Sequence, residues 1–376
     1  MHGQPSPAID QACARRLDTV IDTAIAEERI VGTVVLVAEA GEIVYRRAAG
    51  HADREAGMPI AEDTIFRLAS VTKPMVAAAA LALVEAGQIG LDDPVTRHLP
   101  NFRPRLADGS EPAITVRHLL THTAGLRYDY EAAADIADGL DRLGRGMAEN
   151  LEKIAAQKLA FAPGSAWRYS LAIDVLGGLM EKAAGKSLPE IVAERIAGPL
   201  GMADTEFVAS KPHRLATAYA DGEPRPVRMG EIQRVCHNGW WLTFAPQRAF
   251  DATAFPSGGA GMVGTAGDFL SFLEAVRSGG GPILSPESTR LLSEDAIAGL
   301  DTEDPGCGFS LGWSILRDPA TAGMPGSPGC WQWGGVYGHS WFVDPARRLS
   351  VVIFTNTAVA GVGGAYPDAI RAAVYG

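Results

Sequence analysis

The sequence predicts an α+β fold. An antiparallel sheet is built from both ends of the chain and flanked by helices, with a mostly helical segment inserted between. Three observations lead there. Short β-branched runs lie near both termini, helical apolar spacing fills the middle, and glycine or proline closes most elements. The chain has 376 residues, 47% hydrophobic and 20% charged, enough for a sizeable core and too apolar for global disorder. The expected division is 1–66 with 255–376 as the sheet domain and 67–254 as the helical domain, with the catalytic cleft between them.

Residues 9–29 put Leu17, Ile21, Ala24 and Ile25 on one face, an amphipathic helix. Runs 33–38 and 42–49, broken at Gly41, read as a hairpin. Residues 73–86 are rich in Ala, Leu and Val and are followed by Gly87, a buried helix with a glycine stop. From about 115 to 200 helical patterns dominate, including 173–184 and 188–196. Residues 205–254 are rich in Pro, Gly and aromatics and read as an irregular insertion. Helical spacing returns at 265–277. Strands are expected at 307–316, 338–343 and 349–354, before a closing helix at 367–375.

The formal charge of −11 and the lack of a Lys/Arg run disfavour nucleic acid or an anionic membrane as partner. No apolar run approaches the ~18 residues of a membrane span. Residues 1–5 lack a basic and apolar leader pattern, and the four cysteines (Cys13, Cys236, Cys307, Cys330) form no ligand cluster. A cytoplasmic protein without disulfides or zinc is the expectation.

The chemistry starts at Ser70-Val71-Thr72-Lys73, which opens the helix of 73–86 and is the one Ser-x-x-Lys in a chain with six lysines. Residues three apart share a helix face, so the Ser70 hydroxyl and the Lys73 amine come within reach. A serine needs a base to take its proton, burial disfavours a lysine's charged form, and a helix start stabilises a developing oxyanion. Tyr169, on a loop before the helix of 173–184, is placed to relay a proton beside a cation. Trp333-Gly334-Gly335-Val336 places paired glycines where a substrate can approach, with the Val336 N–H completing an oxyanion hole with the Ser70 N–H. Trp240 and Trp241, in the insertion, are expected to wall the acyl or alcohol pocket.

The segments 66–73 (FRLASVTK), 119–126 (LLTHTAGL), Tyr169-Ser170, 258–262 (GGAGM) and 333–335 (WGG) occur in that order. Together they resemble the serine β-lactamase/penicillin-binding-protein superfamily, and within it the family VIII carboxylesterases, which share the class C β-lactamase fold. The resemblance covers roughly residues 15–372. It implies a β-lactamase-like fold, acylation of Ser70, Lys73 as its general base, and Tyr169 as the tyrosine that protonates the leaving group. It also implies that Tyr128 is an aromatic near the acyl-enzyme and that Trp333-Gly334-Gly335 lines the cleft, with no metal or organic cofactor.

Two departures narrow the substrate. Leu171 stands where the family's Tyr-x-Asn motif has its amide, and Trp333 stands where Lys-Thr-Gly has its lysine. No lysine follows Lys211, so an aromatic cleft suits a neutral ester better than an anionic amide. The expected activity is hydrolysis of small, short-acyl esters, with no obligate protein partner. β-Lactamase or D-stereospecific peptidase action on the same residues, or a non-catalytic sensor acylated at Ser70, are the alternatives. Competing motifs are read as structural. Gly308-Phe309-Ser310-Leu311-Gly312 has the nucleophile-elbow spacing but no following helix, His339 and Asp344 share its hairpin region, and His118/His122 have a helical metal-pair spacing without an adjoining carboxylate.

Overall fold

The structure, a computed structural model, describes residues 9–130, 134–141, 144–237 and 239–376, excepting the side chains of His237 and Trp240. Eight strands form the main sheet: β1 Gly32–Glu39, β2 Glu42–Asp53, β3 Met58–Pro59, β4 Cys307–Phe309, β5 Ser314–Leu316, β6 Cys330–Gly335, β7 His339–Asp344 and β8 Leu349–Thr355. Their order is β4-β5-β6-β7-β8-β1-β2-β3, with neighbours antiparallel. The two chain ends meet at β1 and β8, where Val34 opposes Phe354 and Leu36 opposes Val352. The expected antiparallel sheet from both termini is therefore present.

Period-two alternation sorts the sheet's side chains onto two cores. On one face Val35, Val37, Val351 and Ile353 pack under helix α1 (Gln11–Ala26), through Leu17 and Ile21, and under the C-terminal helix Ala365–Tyr375. On the other, Val34, Leu36, Val352 and Phe354 pack against helix α2 (Thr72–Glu85) and the helix Ala266–Arg277. Helix α2 is apolar on all sides and buried over nearly its whole length, and small alanines let its neighbours close in. It ends at Gly87, whose φ of 67° is the left-handed stop that glycine tolerates.

Three expectations need correction. Residues 307–316 form two strands, not one. The Ser310 hydroxyl accepts from the Gly312 and Trp313 N–H groups at 3.2 Å and donates to the Trp313 carbonyl, folding a turn between β4 and β5. The helix expected at 188–196 is α-helical over Leu188–Val192 and then widens to a π turn over Ala193–Ala197. The insertion is not wholly irregular, since Gln233–His237 and Trp240–Phe244 pair as a hairpin.

His339 couples β7 to the segment before α2. Its Nε2–H donates to the Arg67 carbonyl at 2.7 Å, while Nδ1 is buried without a partner. Burial lowers its pKa from 6.5 to about 4, opposed by that hydrogen bond, so the ring is neutral near pH 7. Because the folded value lies below the unfolded one, its contribution is complete above pH 6.5 and is lost as pH falls toward 4. Urea unfolding should show about 2 kcal/mol of this loss between pH 7 and 5. His339→Gln should flatten that slope, and an unchanged slope would rule out the buried neutral ring as its source.

Candidate active site

Ser70 lies on a 3-10 turn, Ala69–Val71, that runs directly into α2. Ala69 before it is buried with φ of 46°, a left-handed conformation a non-glycine residue holds only when its surroundings impose it. The surroundings are β6. At Gly335 a Cβ would sit 2.3 Å from the Leu68 carbonyl oxygen, and at Gly334 it would sit 2.6 Å from the His339 carbonyl oxygen. Both glycines are thus required by the chain's own close approaches. Gly334 also lines the cavity at Ser70, as a substrate-approach position would, while Gly335 lets β6 press on the turn that carries Ser70.

The Ser70 Oγ lies 3.2 Å from Lys73 Nζ and accepts from the Tyr169 hydroxyl at 2.7 Å. Lys73 is 1% exposed, and its Nζ donates to the Gly259 carbonyl at 2.7 Å. The Nζ also lies 4.7 Å from the Tyr169 ring centre and 5.5 Å from that of Tyr128. The electron-rich faces of both rings stabilise a cation there. The sequence spacing therefore brings Ser70, Lys73 and Tyr169 together, with Tyr128 beside them. The Val336 N–H donates no backbone hydrogen bond among the described residues, and Val336 lines the same cavity as Ser70. Trp333 packs at 5.1 Å on Tyr169 and lines the cavity too.

Other expected binding residues lie elsewhere. Leu171 stands at the N-terminal cap position of the helix Ala172–Ala184, is 1% exposed and packs in the core, and it does not line the cavity at Ser70. Trp241 is 61% exposed under Arg234. Its hairpin turns Val235 and Leu242 toward the protein, so alternation sends Trp241 outward. The side chain of Trp240 lies outside the described residues.

The competing motifs have structural partners. Ser310 is fully buried in its turn, and Asp344 accepts from Ser327, Tyr375 and the Arg347 N–H rather than from His339. His118 caps its own helix by accepting from the Thr115 N–H. His122 faces Ser170 and packs at 5.0 Å on Tyr169. Burial, and then the charge of Lys73, push the His122 pKa well down, so this ring is neutral packing behind the tyrosine.

Sequence reasoning missed Asp174. It is fully buried, and its Oδ1 accepts from the Ser257 hydroxyl at 2.5 Å and from the Gly259 N–H at 3.1 Å. Burial raises its pKa, opposed by Ser257 and by the charge of Lys73. The carboxylate thus clamps the loop whose carbonyl holds Lys73. A lone aspartate between Ile173 and Val175 in an apolar helix was the available signal.

A cavity-lining serine with lysine and tyrosine on its hydroxyl, at the start of an apolar helix and against a sheet strand, defines a serine acyl-enzyme hydrolase of β-lactamase type. The chain belongs to the Beta-lactamase family, whose profile matches residues 17–375. It is 52% identical over 372 residues to Esterase EstB of Burkholderia gladioli, covering 96% of this chain and 95% of that protein. Among solved structures it superposes on EstCE1, a hydrolase with promiscuous acyltransferase activity, with TM-score 0.93 and 45% identity over 97% of this chain and 99% of that one. Simvastatin synthase (LovD) of Aspergillus terreus shares the fold, with TM-score 0.75 and 23% identity over 97% of this chain and 98% of that one.

Two substitutions test the scaffold of the site. Asp174→Asn should lower kcat about 10- to 100-fold, with KM within about threefold, because a loosened Gly259 loop misplaces Lys73. An equal loss in the two parameters, or none, would show that the clamp does not hold the amine. Gly335→Ala should cost about 3 kcal/mol in urea unfolding and reduce activity in the fraction that folds, since its Cβ meets backbone.

Proposed function

We propose that the protein is a serine carboxylesterase acting on small, short-acyl esters. The observation that carries this reading is the Ser70 Oγ lying within hydrogen-bond distance of both the Lys73 amine, at 3.2 Å, and the Tyr169 hydroxyl, at 2.7 Å. Ser70 attacks the ester carbonyl as Lys73 takes its proton. The Ser70 and Val336 N–H groups hold the oxyanion, and a donor of this kind is worth about 3–4 kcal/mol. Tyr169 passes a proton to the departing alkoxide, and its phenol is replenished from Lys73. Water, deprotonated by the Lys73/Tyr169 pair, then attacks the acyl-enzyme and releases the acid.

Trp333, packed edge-to-face against Tyr169 and Phe309, supports a neutral ester as substrate, because no ammonium stands at that position to hold a carboxylate. The esterase naming of EstB, 52% identical, supports the same reading. Deacylation by an alcohol instead of water is a second reading, favoured by the acyltransferase side activity named for EstCE1.

The test compares 4-nitrophenyl acetate with a chromogenic cephalosporin on wild type, Ser70→Ala and Ser310→Ala. Ser70→Ala should lose at least about 10³-fold in kcat on the ester. Folded Ser310→Ala should stay within a few-fold of wild type, with a lower Tm from the lost turn. Cephalosporin turnover equal to ester turnover would defeat the esterase reading, and a stable Ser70 adduct seen by mass spectrometry without turnover would favour the sensor.

A further inference from the structure

Tyr169 holds its hydroxyl 2.7 Å from the Ser70 Oγ, yet it lies in a stretch, 166–170, that is neither helix nor strand. Its position is therefore set by whatever holds that stretch from outside. The turn after the short helix Val116–Leu120 does so. Core residues anchor this turn on both sides, Leu119 and Leu120 before it and Ala124 and Leu126 after it. Its carbonyls accept from the chain that leads to Tyr169: Gly125 from the Ala160 N–H at 2.8 Å, Thr123 from the Gly164 N–H at 2.8 Å, and His122 from the Arg168 N–H at 3.1 Å.

His122 touches each residue of the segment 168–170. Its carbonyl takes Arg168. Its Nδ1 lies 3.2 Å from the Ser170 Oγ, which also accepts from the Ala172 N–H at 3.4 Å, at the start of the next helix. Its ring packs on the Tyr169 ring, with centres 5.0 Å apart, and meets Phe309 in a T-shaped contact at 5.3 Å. Histidine is a costly choice here. Its φ of 57° is left-handed, where glycine is least strained, and its polar ring is 1% exposed. A glycine would serve the turn and keep the carbonyl contact to Arg168. What the imidazole adds is its contacts with Tyr169 and Ser170.

We propose that His122 is the positioning residue for proton delivery: by fixing Tyr169 from both flanks and from behind, it keeps the phenol in reach of the departing alkoxide. The inference rests on the reading of Tyr169 as the donor to the leaving group, and adds the residue that places it.

The test uses the leaving group. Ethoxide needs a proton as it leaves ethyl acetate, whereas 4-nitrophenolate leaves 4-nitrophenyl acetate without one. Both esters give the same acetyl-enzyme, so the ratio of their kcat/KM values, ethyl to nitrophenyl, isolates the protonation step. In His122→Ala this ratio should fall at least about 10-fold, because a small misplacement of the phenol is enough. Ser170→Ala removes the ring's polar partner without touching the left-handed backbone, and should lower the ratio several-fold even where His122→Ala does not fold. Tyr169→Phe should lower it at least as far as His122→Ala, and combining the two should change it by less than about twofold more. An equal loss on the two esters in Ser170→Ala or in folded His122→Ala, or a further fall in the double variant, would overturn the assignment. Should Tyr169→Phe shift the ratio while those variants do not, the tyrosine remains the donor and only the role of His122 is lost. An unchanged ratio in Tyr169→Phe would remove both.

Discussion

The architecture of the site depends on one buried amine. Lys73 sits on the first turn of an apolar helix, 1% exposed, where the ammonium formed as it takes the Ser70 proton in the proposed reaction is costly unless its surroundings supply negative potential. The protein supplies it in three forms: the Gly259 carbonyl at 2.7 Å, the faces of Tyr169 and Tyr128, and the Asp174 carboxylate behind the Gly259 loop. Each also does geometric work. The carbonyl fixes the amine's direction, Tyr169 reaches on to Ser70, and Asp174 orders the loop through Ser257.

The second constraint is the contact of β6 with the turn carrying Ser70. The proposed catalytic hydroxyl and oxyanion donor come from segments more than 260 positions apart, Ser70 and Val336. They keep register because Gly335 lets the strand close on the Leu68 carbonyl, and because His339 binds the Arg67 carbonyl just before it. Sheet, turn and helix are thereby one rigid unit, which is what preorganised electrostatic stabilisation requires. The strained Ala69 is held by the same packing.

Around this unit the aromatic rings set polarity. His122, Trp167, Phe309 and Trp333 pack edge and face around Tyr169. Neutral His122 adds no charge to compete with Lys73.

Much of this was legible in the residues. The sheet from both termini follows from β-branched runs at 33–38 and 349–354, and the buried helix from its unbroken apolar stretch, because both patterns are local. Ser70 with Lys73 was legible because a helix places residues three apart on one face. Tyr169, Tyr128 and Trp333 were legible through the ordered set of family motifs. The turn at Ser310, the outward face of Trp241, the core placement of Leu171 and the clamp at Asp174 were not. Each depends on which long-range surface a side chain meets, and periodicity does not contain that information. The sequence by itself determined the pair that makes a nucleophile, since one helical turn suffices to join them. Only the tertiary structure decided what holds the amine and where the oxyanion donor sits, since those are distances between segments joined only by packing.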